Sequence, residues 1–89
     1  MSAYVYFLTC GDGSIYTGWT TDLTKRVETH NLGRGAKYTR ARLPVLLSYA
    51  EEHENRSEAQ KREYYLRNLS REEKLKRIDE FTSRQTTKE

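Results

Sequence analysis

Phenols, a guanidinium, an imidazole and a carboxylate occur in this sequence in a fixed order: Tyr4-Val5-Tyr6, then Tyr16-Thr17-Gly18, then Arg26 and His30, then Ser57-Glu58-Ala59. Hydrolysing a phosphodiester needs a positioned water, a group to take its proton, charge to stabilise the phosphoryl oxygens, and help for the leaving oxygen. Arg26 can bridge phosphate oxygens, because its planar fork donates two hydrogen bonds and stays charged. His30 can relay a proton near neutral pH, whereas a phenol with a pKa of about 10 is a poor base unless nearby charge assists it. Tyr6 is therefore favoured to orient and help deprotonate water with His30 assisting, and Tyr16 to bond phosphate or water, with the swap of the two tyrosine roles left open. Each residue also has a structural reading. The tyrosines can pack in a half-buried hairpin, Arg26 can be a surface cation, and Glu58 can be a first-turn acid that complements a helix dipole.

The elements that would bring these groups together are predicted by local pattern. Residues 4–10 are β-branched, aromatic or apolar, Gly11-Asp12-Gly13 makes a tight turn, and residues 15–20 form a second strand. With Gly13 left-handed in a three-residue loop, Cys10 lies opposite Ser14, Leu8 opposite Tyr16 and Tyr6 opposite Gly18. Tyr6 and Tyr16 then share a face, and a one-residue slip would separate them. Thr21 or Asp22 caps a helix with Leu23, Val27 and Leu32 inward, ended by Gly33 and Gly35. Arg26 and His30, four apart, project from one side of it, on a flank distinct from Leu23 and Val27.

Residues 33–43 read as a basic loop, and Pro44 opens a third strand over 45–50. Ser57 with Gln60 and Ser70 with Glu73 form capping boxes, which predict two further helices. Their inward stripes are Ala59, Tyr65, Leu66 and Leu69 on the first, and Leu75 and Ile78 on the second. Residues 81–89 have nothing to bury and are expected to form a disordered tail after a single domain over 1–80. The order β-β-α-β-α-α predicts an α+β fold, a small three-stranded antiparallel sheet flanked by helices.

Composition narrows the class. With 89 residues the chain is one domain, near the size below which a single core needs staples. Its one cysteine, Cys10, excludes an internal disulfide and reads as a small buried strand-end residue. His30 and His53 are its only imidazoles, so the spacing of a structural zinc site is missing. A cytoplasmic, soluble protein is expected, since the N-terminus lacks a signal-peptide pattern and no window approaches the roughly 18 apolar residues of a membrane span. Phosphate-loop, serine-elbow and zinc-helix motifs are absent.

The net charge of +3 is unevenly spread. Lys25, Arg26, Arg34, Lys37, Arg40 and Arg42 crowd residues 22–42 against only Asp22 and Glu28. Lys37, Tyr38, Arg40 and Arg42 are therefore candidates for gripping a nucleic-acid backbone, with Tyr38 either stacking on an exposed base or covering the core. Trp19 either packs in the core or lines the same groove.

From Tyr4 to Ile78 the ordered set resembles the GIY-YIG nuclease domain in its small stand-alone form. The resemblance implies a matching fold and a metal-dependent endonuclease acting on DNA, branched or damaged substrates included, in repair or recombination. It matches Tyr6 and Tyr16 to the motif tyrosines, Gly18 to the motif glycine, Arg26 and His30 to the helix pair, and Glu58 to the carboxylate holding a single Mg²⁺ or Mn²⁺. Mg²⁺ keeps several waters, so one carboxylate suffices. Two departures stand out. Tyr4 occupies the place of the first motif glycine, and the amide that larger members carry beyond the glutamate is missing, Asn68 being the nearest and Ser70 standing at about the expected spacing. Without added DNA-binding modules, substrate choice would be loose or would depend on a protein partner. The alternative is a nucleic-acid-binding module that keeps the fold with little turnover.

Overall fold

A computed structural model describes residues 1–86 of the chain. Strands β1 (Ala3–Cys10), β2 (Ile15–Thr20) and β3 (Val45–His53) form one antiparallel sheet in the order β2-β1-β3. The central strand β1 is apolar on both faces because both are covered. Val5 and Phe7 pack with Ala59 and Leu66 of α3 (Arg56–Arg67) and with Ile78 of α4 (Arg71–Thr86). On the opposite face Tyr6 and Leu8 pack with Leu23 and Val27 of α1 (Leu23–Asn31). The sheet is therefore a central layer, with helices on each side and β2 and β3 as its edges.

The hairpin has the register its turn dictates. Gly13 has φ +86°, and the Cys10 amide donates to the Ser14 carbonyl at 2.8 Å. Tyr6 accordingly pairs with Gly18 and Leu8 with Tyr16. Asp22 caps α1 by accepting from the Lys25 amide at 3.1 Å, and Gly33, at φ +78°, follows its end. The third strand extends to His53, with a bulge where β1 passes from Phe7 to Leu8.

Four expectations are corrected. The basic loop contains a one-turn helix, α2 (Lys37–Arg40), whose Thr39 is fully buried. The cap of α3 is Asn55, which accepts from the Glu58 amide at 2.9 Å, so the Ser57–Gln60 box does not start the helix. The Ser70–Glu73 box does form: the Glu73 amide donates to the Ser70 hydroxyl at 3.2 Å, and the Ser70 amide to the Glu73 carboxylate at 3.3 Å. Leu32, Tyr65 and Leu75 are exposed rather than inward. The expected tail from residue 81 is helical through Thr86, because Phe81 packs on Tyr49 with ring centroids 5.6 Å apart. Residues 87–89 lie outside the described residues. Among the described residues no helix is long and apolar enough to cross a membrane.

Candidate active site

A groove of about 570 Å³ runs along the free edge of β2. Residues 15–19 all line it, although alternate side chains point to opposite faces, so the groove wraps over the edge and takes side chains from helices on both sides. Tyr6, Tyr16, Gly18 and Arg26 meet there from the α1 side, with Tyr38 of α2. Glu63 and Arg67 of α3 and Lys74 of α4 come from the other side. Trp19 serves in both its expected places, lining the groove and packing against the core.

Tyr6 lies at the base of the groove, 1% exposed. Its hydroxyl is 3.1 Å from His30 Nε2, and His30 Nδ1 is 2.8 Å from the Thr39 hydroxyl. Burial pushes the Tyr6 phenol up, against the pull of Arg26, so at neutral pH Tyr6 keeps its proton. Burial and the nearby Arg26 charge hold His30 below its ordinary value, so its imidazole is neutral and can accept. Arg26 faces Tyr6 most strongly and Tyr16 as well, which secures its own charge. His30 is thus behind the phenol and fully buried rather than in contact with substrate space.

Space constrains the same cluster. A β-carbon on Gly18 would stand 2.6 Å from the Tyr6 hydroxyl oxygen and 3.0 Å from the Tyr16 ring, so the motif glycine makes room for the phenols. Gly35 clears the His30 ring in the same way.

The four residues expected to grip nucleic acid divide. Tyr38 lines the groove, stacked on Tyr16 at 6.1 Å between centroids. Arg42 braces it: the guanidinium lies 3.9 Å from the Tyr38 ring centre, donates to the Tyr38 carbonyl at 2.9 Å, and pairs with Asp12 of the hairpin turn at 3.1 Å. Lys37 and Arg40 are exposed on α2 and do not line the groove.

Glu58, expected to hold the cation, is exposed in the first turn of α3 and does not line the groove, a place that suits an acid complementing the helix dipole. The acid that lines the groove is Glu63, its side chain 13% exposed and paired with Arg67 at 3.5 Å. Its signal was in the sequence: Ala59, Glu63 and Leu66 follow i, i+4, i+7 spacing, so an acid occupies the buried stripe of α3. Arg67 and Lys74 were likewise missed. Lys74 is half-buried, and burial, with the Arg67 charge beside it, lowers its ammonium below the usual range. Among the described residues no three His, Cys, Asp or Glu side chains gather as a metal cluster.

Comparison with known proteins finds a family and several relatives. The GIY-YIG catalytic domain matches residues 2–77. A UPF0213 protein of Clostridium perfringens is 59% identical over 75 residues, covering 84% of this chain and 81% of that protein. One from Bacillus licheniformis is 54% identical over 79 residues, covering 89% and 81%. The solution NMR structure of a UPF0213 protein from Bacillus halodurans superposes with a TM-score of 0.57 at 44% identity, covering 89% of this chain and 84% of its own. An E. faecalis protein, also solved by NMR, gives 0.60 at 43%, covering 92% and 88%.

Proposed function

Because this chain belongs to the GIY-YIG catalytic domain family, we propose that its groove binds DNA and hydrolyses a phosphodiester bond. The observation that carries this reading is the meeting of Tyr6, Tyr16, Arg26 and Glu63 in one open groove whose far side adds the cations Arg67 and Lys74.

Each side chain then has a task its chemistry suits. Tyr6, buried and protonated, holds the attacking water through its phenol oxygen and passes its own proton to His30 as it takes one from water. The resulting hydroxide attacks phosphorus, the bond from phosphorus to the leaving oxygen breaks, and that oxygen takes a proton from solvent. Arg26 and Tyr16 hold the phosphoryl oxygens from the α1 side, while Arg67 and Lys74 hold the same or an adjacent phosphate from the other. Tyr38 offers a face on which an unpaired base stacks.

The donor set suits a divalent ion that keeps most of its water. Glu63 is a single, mostly covered carboxylate facing the groove, enough for Mg²⁺ or Mn²⁺ held loosely but not for a tightly caged ion. When bound, the ion would supply positive charge to the phosphoryl oxygens.

A second reading, a DNA-binding module with little turnover, is favoured by one observation. Glu63 is already paired with Arg67, and among the described residues three cations line the groove against this one carboxylate, a balance that suits a bound phosphate backbone. Titrating Mg²⁺ or Mn²⁺ against supercoiled, branched and damaged DNA separates the two. Cleavage that disappears in Tyr6→Phe supports hydrolysis. Salt-sensitive binding by the wild type with no cleavage supports the binding module.

A further inference from the structure

Thr39 is fully buried on α2, the helical turn absent from the sequence reading, and it touches the one imidazole behind the groove. Its hydroxyl has two polar neighbours, the Ala36 carbonyl at 3.0 Å and His30 Nδ1 at 2.8 Å. A carbonyl can only accept, so the single hydroxyl proton is used on Ala36, and the oxygen faces Nδ1 with its lone pairs. That contact is attractive only if Nδ1 carries the imidazole proton. Since burial and Arg26 keep the ring neutral, Nε2 is then bare and accepts from the Tyr6 hydroxyl 3.1 Å away. The opposite assignment would turn the Thr39 hydroxyl away from Ala36 and leave two acceptor oxygens 3.0 Å apart.

We propose that Thr39 is a positioning residue that fixes His30 as the Nδ1–H tautomer, so that Tyr6 donates to Nε2 and keeps its oxygen lone pairs for the groove. The inference rests on the hydrolytic reading only for its consequence; the tautomer itself is a property of the folded chain. The chain of donors runs one way: His30 Nδ1–H to Thr39, Thr39 O–H to the Ala36 carbonyl, and Tyr6 O–H to His30 Nε2. With that polarity, Tyr6 can take a proton from water and lose its own to Nε2, leaving hydroxide and an imidazolium whose two N–H groups both have acceptors. In the other tautomer Nε2 already carries a proton, and Tyr6 has no base behind it. Gly35 keeps the arrangement possible, since any β-carbon there would overlap the His30 ring.

Long-range ¹H–¹⁵N correlation spectra of the full ¹⁵N-labelled chain, with His53→Gln used to assign the second imidazole, read the tautomer directly. The expected result is a protonated Nδ1 and a bare Nε2 on His30; a proton on Nε2 overturns the proposal. Thr39→Ser should keep the tautomer and keep kcat on cleaved DNA within about threefold. Thr39→Val should lose the tautomer preference and lower kcat by about tenfold or more, with KM changed less than about twofold, as expected for a proton-transfer defect. Unchanged kcat and tautomer in a folded Thr39→Val overturn the proposal. If that variant does not fold, the wild-type and Thr39→Ser spectra still decide it. A wild type that cleaves no DNA would sink the hydrolytic reading while the spectrum still judges the tautomer.

Discussion

Gly18 stands across the hairpin from Tyr6 with so little clearance that a β-carbon would come within 2.6 Å of the phenol oxygen. The neighbour is the polar end of a side chain already bonded to His30, so it cannot yield without breaking that contact. Gly18→Ala should cost about 1–3 kcal/mol in chemical denaturation, the usual range for overpacking. Cleavage should fall further than stability explains. Full activity in this variant would show that Tyr6 needs no fixed place.

The buried imidazole makes stability depend on pH. His30 in the fold sits below its ordinary value of 6.5, so the unfolded chain binds more protons as pH drops through that value. The fold's preference for neutral His30 is fully satisfied above that value and becomes a growing penalty as pH falls toward the depressed folded pKa. Thermal melts should show Tm dropping between pH 7.5 and 5.5, with a shallower drop in His30→Gln. An NMR titration placing His30 at or above 6.5 would contradict this.

Thr17, between the motif tyrosine and glycine, has a buried hydroxyl with no hydrogen-bond partner among the described residues. An unpaired buried hydroxyl costs about 1–3 kcal/mol, so the similarly shaped Thr17→Val should leave stability unchanged or raise it. A loss above about 1 kcal/mol in urea denaturation would mean that the hydroxyl is bonded after all.

Tyr38 and the bases around it should separate by type of effect. Held by Arg42 and stacked on Tyr16, Tyr38 is 39% exposed over the groove, so Tyr38→Ala should weaken single-stranded DNA binding by about 5- to 100-fold. Arg42→Ala should mimic it in part, by freeing the ring. Lys37→Ala and Arg40→Ala should weaken binding modestly, most at low salt, and lower the log–log salt slope by at most about 1 each. Fluorescence anisotropy across a salt series distinguishes these patterns.

What could be read from residues alone followed from local chemistry. The hairpin register was legible because Gly13 and a three-residue loop admit one pairing, and the Ser70–Glu73 box because its two hydrogen bonds span three residues. Glu63 was missed for a physical reason. Ser57 looked like a cap, which made Glu58 a prominent first-turn acid, whereas Asn55 is the cap and the inward stripe passes through Ala59, Glu63 and Leu66. The end of α4 depends on Phe81 meeting Tyr49, and the role of α2 on Thr39 meeting His30. Such contacts between distant segments leave no local trace.

The most direct test compares two acids five residues apart on one helix. Cleavage of labelled DNA in Mg²⁺ should fall by about 100-fold or more in Glu63→Gln, the scale at which removing a key charged group from a reacting centre is felt. Glu58→Gln should stay within about twofold of wild type, as a surface acid at a helix start should. The reverse pattern, or equal rates in both variants, would contradict the groove along β2 as the site of hydrolysis.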